Sequence, residues 1–147
     1  MVEATETPKE NVTENTAPLA VNVERIVSRT ERGWSGHFIC ADRCQFRRNT
    51  LLECGDKRIV VSTVGMLKDI HSPNEMKFDT IRYNRHFETM AFHAKHDGRY
   101  WDADAEREVH FSNPCAIEEL DAEDRANDMH ESVVDEITKK LASGDYC

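Results

Sequence analysis

The chain has 147 residues, with 19 basic and 28 acidic side chains and a formal net charge of −9. That length suits one domain around one core. The charge disfavours a non-specific binder of nucleic acid or anionic membrane, which needs a surplus of Lys and Arg, and no run approaches the ~20 apolar residues of a membrane span.

Residues 1–20 are rich in Thr, Glu, Asn and Pro and hold no aromatic residue. Such a segment buries too little apolar area to offset chain entropy, so a disordered tail is expected there, with a single domain over 21–143. The N-terminus lacks the basic and apolar regions of a secretory signal. The five cysteines are odd in number and irregularly spaced. Reduced thiols in a cytoplasmic protein are the expectation.

Val21, Val23, Ile26 and Val27 suggest a first strand. Gly33-Trp34-Ser35-Gly36 reads as a turn and His37 to Cys40 as a short strand. The clearest local signal is a hairpin from Arg47 to Val64. Gly55-Asp56 suits the central positions of a type II′ turn, where Gly supplies the positive φ. Folding there sets Glu53 opposite Arg58, Leu52 opposite Ile59, Leu51 opposite Val60, Asn49 opposite Ser62 and Arg48 opposite Thr63. Opposite charges and apolar pairs make good cross-strand partners.

Residues 65–81 read as a long irregular stretch, of the kind that is often functional or mobile. A second hairpin is expected from Tyr83 to Ala94, through an Asp97-Gly98 turn, returning over Glu106 to Phe111. Asn113-Pro114 then opens a short helix or turn through Glu119. A final helix spans about 122–141, with Ala126, Met129, Val133, Ile137 and Leu141 forming one apolar stripe at three- and four-residue spacing. The expected fold class is α+β: an antiparallel sheet of about five or six strands in two hairpins, with the C-terminal amphipathic helix on one face.

Chemistry-bearing groups are sparse. Cys40-x-x-x-Cys44 is one loose pair where a structural zinc site shows two tight ones, so no metal is expected. His130-Glu131 begins like a zinc-protease helix, but the second His would fall at Val134. Nucleophile-elbow, phosphate-loop and dinucleotide motifs are lacking in the sequence, and no cofactor is expected. His86 and Glu88 alternate on one strand and would suit acid–base work in a small phosphodiesterase. In the bland reading they belong to a surface network in which Glu88 faces Arg107.

The densest polar group is Arg43, Arg47, Arg48, Asn49 and Thr50. Guanidinium groups bind phosphate bidentately, and Asn and Thr add directional hydrogen bonds. With Thr63 across the first hairpin, and Arg85, His86 and Phe87 opening the second, these residues form a candidate anion or nucleotide site. Phe87 or Phe92 would stack on a base. The competing reading pairs the arginines with the many carboxylates for solubility.

Three segments carry a resemblance. They are Phe46-Arg47-Arg48-Asn49-Thr50-Leu51-Leu52 running into Arg58 to Gly65, then Phe87-Glu88-Thr89-Met90-Ala91-Phe92, then Ala126-Asn127-Asp128-Met129-His130-Glu131. Together they resemble small accessory proteins of tailed bacteriophages, mostly of unassigned function. More distantly, the sheet with its Glu-Thr-Met strand and C-terminal helix looks like the phage sponge proteins that counter Thoeris immunity. That resemblance implies a homo-oligomer in the host cytoplasm that sequesters a cyclic nucleotide signal without cleaving it. The alternative is an acidic inhibitor whose partner is a basic host nuclease or nucleic-acid-binding protein.

Overall fold

The computed structural model describes residues 25–31, 43–69, 71, 77–81, 84–98, 100–112 and 115–146. The expected tail, the Gly33–Gly36 turn, the His37–Cys40 strand and Asn113-Pro114 lie outside them, as do residues 21–24 of the expected first strand.

Among the described residues, seven strands and one long helix form an antiparallel α+β fold. The strands are β1 (Ser28–Glu31), β2 (Cys44–Cys54), β3 (Lys57–Lys68), β4 (Phe78–Asp79), β5 (Phe87–Asp97), β6 (Tyr100–Val109) and β7 (Ala116–Ile117). The helix, α1, is Glu123–Ala142. The main sheet order is β1-β2-β3-β5-β6, with β4 beside β3 and β7 beside β5.

The first hairpin pairs as its sequence dictates. Glu53 faces Arg58, Leu52 faces Ile59, Leu51 faces Val60, Asn49 faces Ser62 and Arg48 faces Thr63. Gly55 takes φ +62° while Asp56 does not enter the positive region, the signature of a type II′ turn. β3 then runs on to Lys68, into the stretch expected to be irregular, and β4 pairs with its end.

The second hairpin departs from expectation. Asp97 pairs with Tyr100, so Gly98 (φ +62°) stands first in the turn, not second as an Asp97-Gly98 central pair would have it. The return strand therefore starts at Tyr100. Its register then shifts between the Ala94↔Ala103 and Phe92↔Glu108 pairs, leaving Asp104 to Arg107 as a bulge. Glu88 does not face Arg107; it pairs with Ala116 of β7. The segment expected as a short helix or turn through Glu119 contributes that strand.

α1 lies across the face formed by alternate residues of the strands. Its expected stripe is buried: Ala126, Met129, Val133, Ile137 and Leu141. Glu123 and Asp124 stand in its first turn, Lys139 and Lys140 in its last, complementing the helix dipole. Towards its C-terminal end, Val133, Val134, Ile137 and Leu141 pack on Leu52, Ile59, Val61, Ala91 and Val109. Towards its N-terminal end, Ala122, Ala126 and Met129 pack on Phe87. Fully burying side chains such as Leu52, Ile59, Ile137 and Phe87 contributes about 1.5–3 kcal/mol each. Phe87 sits directly over Gly65, its partner in β3. A Cβ at position 65 would overlap the Phe87 ring and lie 2.7 Å from the His86 carbonyl, so only glycine allows this approach.

Candidate functional site

Between those two apolar contacts the helix meets a polar patch. Strand pairing builds it row by row on the helix-facing side. Glu31 of β1 pairs with Thr50 of β2, Arg48 of β2 with Thr63 of β3, and Thr63 with Thr89 of β5. His130 comes down onto these rows from α1, one residue after the core residue Met129. Thr50, Thr63, Thr89 and His130 are each fully buried.

The contacts are short and continuous. His130 Nε2 lies 2.7 Å from Thr50 Oγ1, and His130 Nδ1 lies 2.7 Å from Thr63 Oγ1. Thr63 Oγ1 is 2.6 Å from Thr89 Oγ1. At the other end Thr50 Oγ1 donates to Glu31 Oε2 at 2.9 Å. Buried polar groups need such partners, since an unpaired one costs about 1–3 kcal/mol.

An ion-pair lattice closes the patch at its solvent edge. Arg48 Nη2 donates to Glu31 Oε1 at 2.9 Å and to Glu131 Oε2 at 2.8 Å. Its Nη1 reaches Asn127 Oδ1 at 3.4 Å. Arg29 grips the Glu131 carboxylate with two nitrogens, at 2.9 and 2.6 Å, and donates to Glu31 from Nε. Two arginines and two carboxylates thus link β1 and β2 to the helix. The hydrogen bonds from Arg29, then Arg48, hold the Glu131 carboxyl down at about 2 despite some burial. Burial would raise the Glu31 carboxyl, but hydrogen bonds from Arg48, Thr50 and Arg29 outweigh it and keep it below its ordinary value. Burial pushes His130 the opposite way for a base, down to about 4, with help from the Arg48 cation. The imidazole is therefore neutral at pH 7.

The expected anion-site residues separate onto the two faces of the sheet, with Asn49, Thr50, Thr63 and Phe87 buried. Arg48, Thr50 and Thr63 come together under the helix, where Arg48 is engaged by two carboxylates. An anion there would have to displace Glu31 and Glu131. Arg47 and Asn49 project from the other face, Arg47 in the row Arg47–Val64–Glu88 and Asn49 in the row Asn49–Ser62–Met90. Arg85 approaches that face, its Nη1 3.3 Å from the buried Glu88 carboxylate. His86 precedes β5 and is half-buried, and its Nδ1 has no hydrogen-bond partner. Phe87 and Phe92 are core residues, at 0% and 3% exposure, and offer no open ring face for a base to stack on. The bond to Arg85 engages the Glu88 expected to pair with His86, and His110 is exposed beside Glu108.

The residues at the centre of the patch were only partly legible. Alternation along the first hairpin puts Thr50 and Thr63 on one face, but the sequence offers His130 only as the start of a zinc-protease motif that Val134 breaks. The available signal was its position flanking the apolar stripe, opposite inward-facing threonines. Among the described residues, no group of three or more His, Cys, Asp or Glu side chains is placed to hold a metal. Cys44 and Cys54 are buried and Cys115 is half-buried; Cys40 lies outside the described residues. No helix among them is long and apolar enough to cross a membrane.

Surface charge is the other marked feature. From Glu118 to Asp135 the chain exposes eight carboxylates, those of residues 118, 119, 121, 123, 124, 128, 131 and 135, against the single arginine Arg125. A concavity of about 370 Å³ opens among Asp121, Glu123, Asp124 and Arg125. Comparison with protein-family models, with curated proteins and with solved structures finds no match.

Proposed function

We propose that this chain is a non-catalytic binding protein that docks the acidic face of α1 on a basic surface of a partner protein, as a phage-encoded inhibitor of a host nuclease or nucleic-acid-binding protein would. The observation carrying this reading is the exposed run of carboxylates from Glu118 to Asp135, in which Glu119, Glu131 and Asp135 are held by Arg125, by Arg29 and Arg48, and by Lys139, while residues 118, 121, 123, 124 and 128 are exposed beside them. A fixed row of one charge raises the encounter rate with an oppositely charged surface and penalises wrong partners. Glu131 and Glu31 hold both arginines of the buried patch, leaving little uncompensated positive charge at that site for a phosphate. His130 is sealed beneath the helix and out of reach of a substrate.

The test is affinity capture from host lysate at rising ionic strength, comparing the wild type with a Glu123→Lys/Asp124→Lys/Asp128→Lys variant. These three side chains are exposed and outside the buried patch. A basic partner that is retained at low salt, released at high salt and lost with the variant is the expected result. Equal capture by the variant overturns the assignment of the surface.

A second reading, sequestration of a cyclic nucleotide signal by a homo-oligomer, is favoured by one observation. Arg47 lies in the same cross-strand row as buried Glu88 on the face away from the helix, and Arg85 contacts the Glu88 carboxylate. Native mass spectrometry with a pool of cyclic and linear nucleotides tests it. An intact nucleotide mass gained by the wild type and lost on Arg47→Ala supports sequestration; a cleaved product points to the phosphodiesterase alternative.

A further inference from the structure

We infer that His130 is locked as its Nε2–H tautomer by a one-way chain of hydrogen bonds running from Thr89 through Thr63, His130 and Thr50 to Glu31, which makes the exposed Glu31 a handle on the buried ring. The direction follows from counting protons. A hydroxyl has one proton to give, a neutral imidazole has one, and an ionised carboxylate has none. Glu31 accepts from Arg29, Arg48 and Thr50, so it is ionised and the Thr50 proton is committed to it. Thr50 Oγ1 then has only a lone pair for the ring, and His130 Nε2, 2.7 Å away, must donate. Nδ1 of the neutral ring is left as an acceptor, so Thr63 gives it its proton over 2.7 Å. Thr63 Oγ1 in turn accepts from Thr89 over 2.6 Å. Each bond polarises the next in a buried setting, so the sequence of donors holds together as a unit.

The ring has to be neutral for this ordering. An imidazolium would donate from both nitrogens and reverse the Thr63–Thr89 bond. Full burial disfavours the cation. The charged groups that face it are Arg48 on β2, Arg29 and Glu31 on β1, and Glu131 on its own helix; the arginines lower its proton affinity and the carboxylates raise it. Withdrawal of the Glu31 carboxylate, by a basic group that draws it away, frees the Thr50 proton to turn to Nε2. The ring proton then moves to Nδ1 and points at Thr63, and Thr63 donates to Thr89. A change at an exposed carboxylate on β1 is thereby written into the tautomer of a sealed ring and the hydroxyl orientation on β5.

Long-range ¹H–¹⁵N correlation spectra of the full-length protein, with His130 assigned by its loss in His130→Leu, read the tautomer directly. The expected wild-type pattern at pH 7 is neutral Nε2–H. An Nδ1–H or doubly protonated ring overturns the inference. Thr50→Val removes the acceptor for Nε2–H and leaves only the Thr63 oxygen to receive a proton, so the ring is expected to flip to Nδ1–H. Thr50→Ser keeps the hydroxyl and is expected to keep Nε2–H. Retention of Nε2–H in Thr50→Val, or a flip in Thr50→Ser, refutes the chain. Glu31→Ala is expected to bring in a second, Nδ1–H population; an unchanged single tautomer refutes the role of Glu31. Should Thr50→Val fail to fold, the wild type and Thr50→Ser still decide.

Discussion

Lowering the pH from 7.5 to 4 should destabilise this fold through His130 in a range where few of its other groups act. The folded imidazole is pushed down to about 4, against an ordinary histidine value of 6.5. The unfolded chain therefore binds the proton more tightly than the folded one. The contribution to stability is complete above pH 6.5, is lost as the pH falls towards 4, and levels off below it. One pKa unit corresponds to about 1.36 kcal/mol, so the span amounts to roughly 3 kcal/mol, with a slope of at most about 1.4 kcal/mol per pH unit near pH 5. The ring is fully buried, so solvent does not screen this term. The chain's other histidines are held constant by a control, His130→Leu, which removes the titration at a similar volume. Thr50 keeps its bond to Glu31 and Thr63 its bond to Thr89 in that variant, so neither hydroxyl is orphaned. Urea unfolding followed by tryptophan fluorescence, at half-unit steps of pH, gives both curves. The wild type is expected to lose about 3 kcal/mol more than His130→Leu between pH 7 and 4. Parallel curves would refute a buried neutral imidazole. Glu31 and Glu131, whose folded values are depressed, weaken the fold only as the pH falls below about 4.5, in the next window down.

Two further substitutions probe what flanks the patch. Arg48→Met keeps the stem and removes the guanidinium that joins Glu31, Glu131 and Asn127; a loss of about 1.5–3 kcal/mol in urea unfolding is expected, shrinking as salt rises. Gly65→Ala places a methyl on the Phe87 ring and against the His86 carbonyl, and should cost about 1–3 kcal/mol or more. Melting indistinguishable from the wild type would mean that β3 and β5 are not held that closely.

The first hairpin was legible because every one of its signals is local. A Gly-Asp turn fixes the register, and the register fixes all the pairs from Glu53–Arg58 to Arg48–Thr63. The helix was legible because its apolar stripe, Ala126 to Leu141, repeats over about four turns. The second hairpin was misplaced by its turn. Gly98, which has to take the positive φ, is the first central residue, and reading it as the second shifted every pair. A bulge at Asp104 to Arg107 then broke the alternation on which any longer extrapolation depended. The site fared in between. Alternation put Arg48, Thr50 and Thr63 on one face, but which face the helix covers is a tertiary fact. Arg48 looked available for phosphate until β1 supplied Glu31 and the helix supplied Glu131. Phe87 looked like a stacking platform because nothing local reveals that Gly65 lets it sink into the core.

The polar patch divides the helix's apolar footing in two, with Val133, Val134, Ile137 and Leu141 on one side of His130 and Ala122, Ala126 and Met129 on the other. Either half alone is greasy enough to slide. Moving α1 along its axis by one turn, about 5.4 Å, would bring the imidazole against apolar neighbours such as Val61 or Phe87 and leave Thr50 and Thr63 facing alkyl side chains. The imidazole would lose both of its hydrogen bonds at once, while Thr50 kept Glu31 and Thr63 kept Thr89. His130 thus works as a key in a lock cut from three strands. An all-apolar substitute could hold the helix as tightly and yet allow it more than one seat.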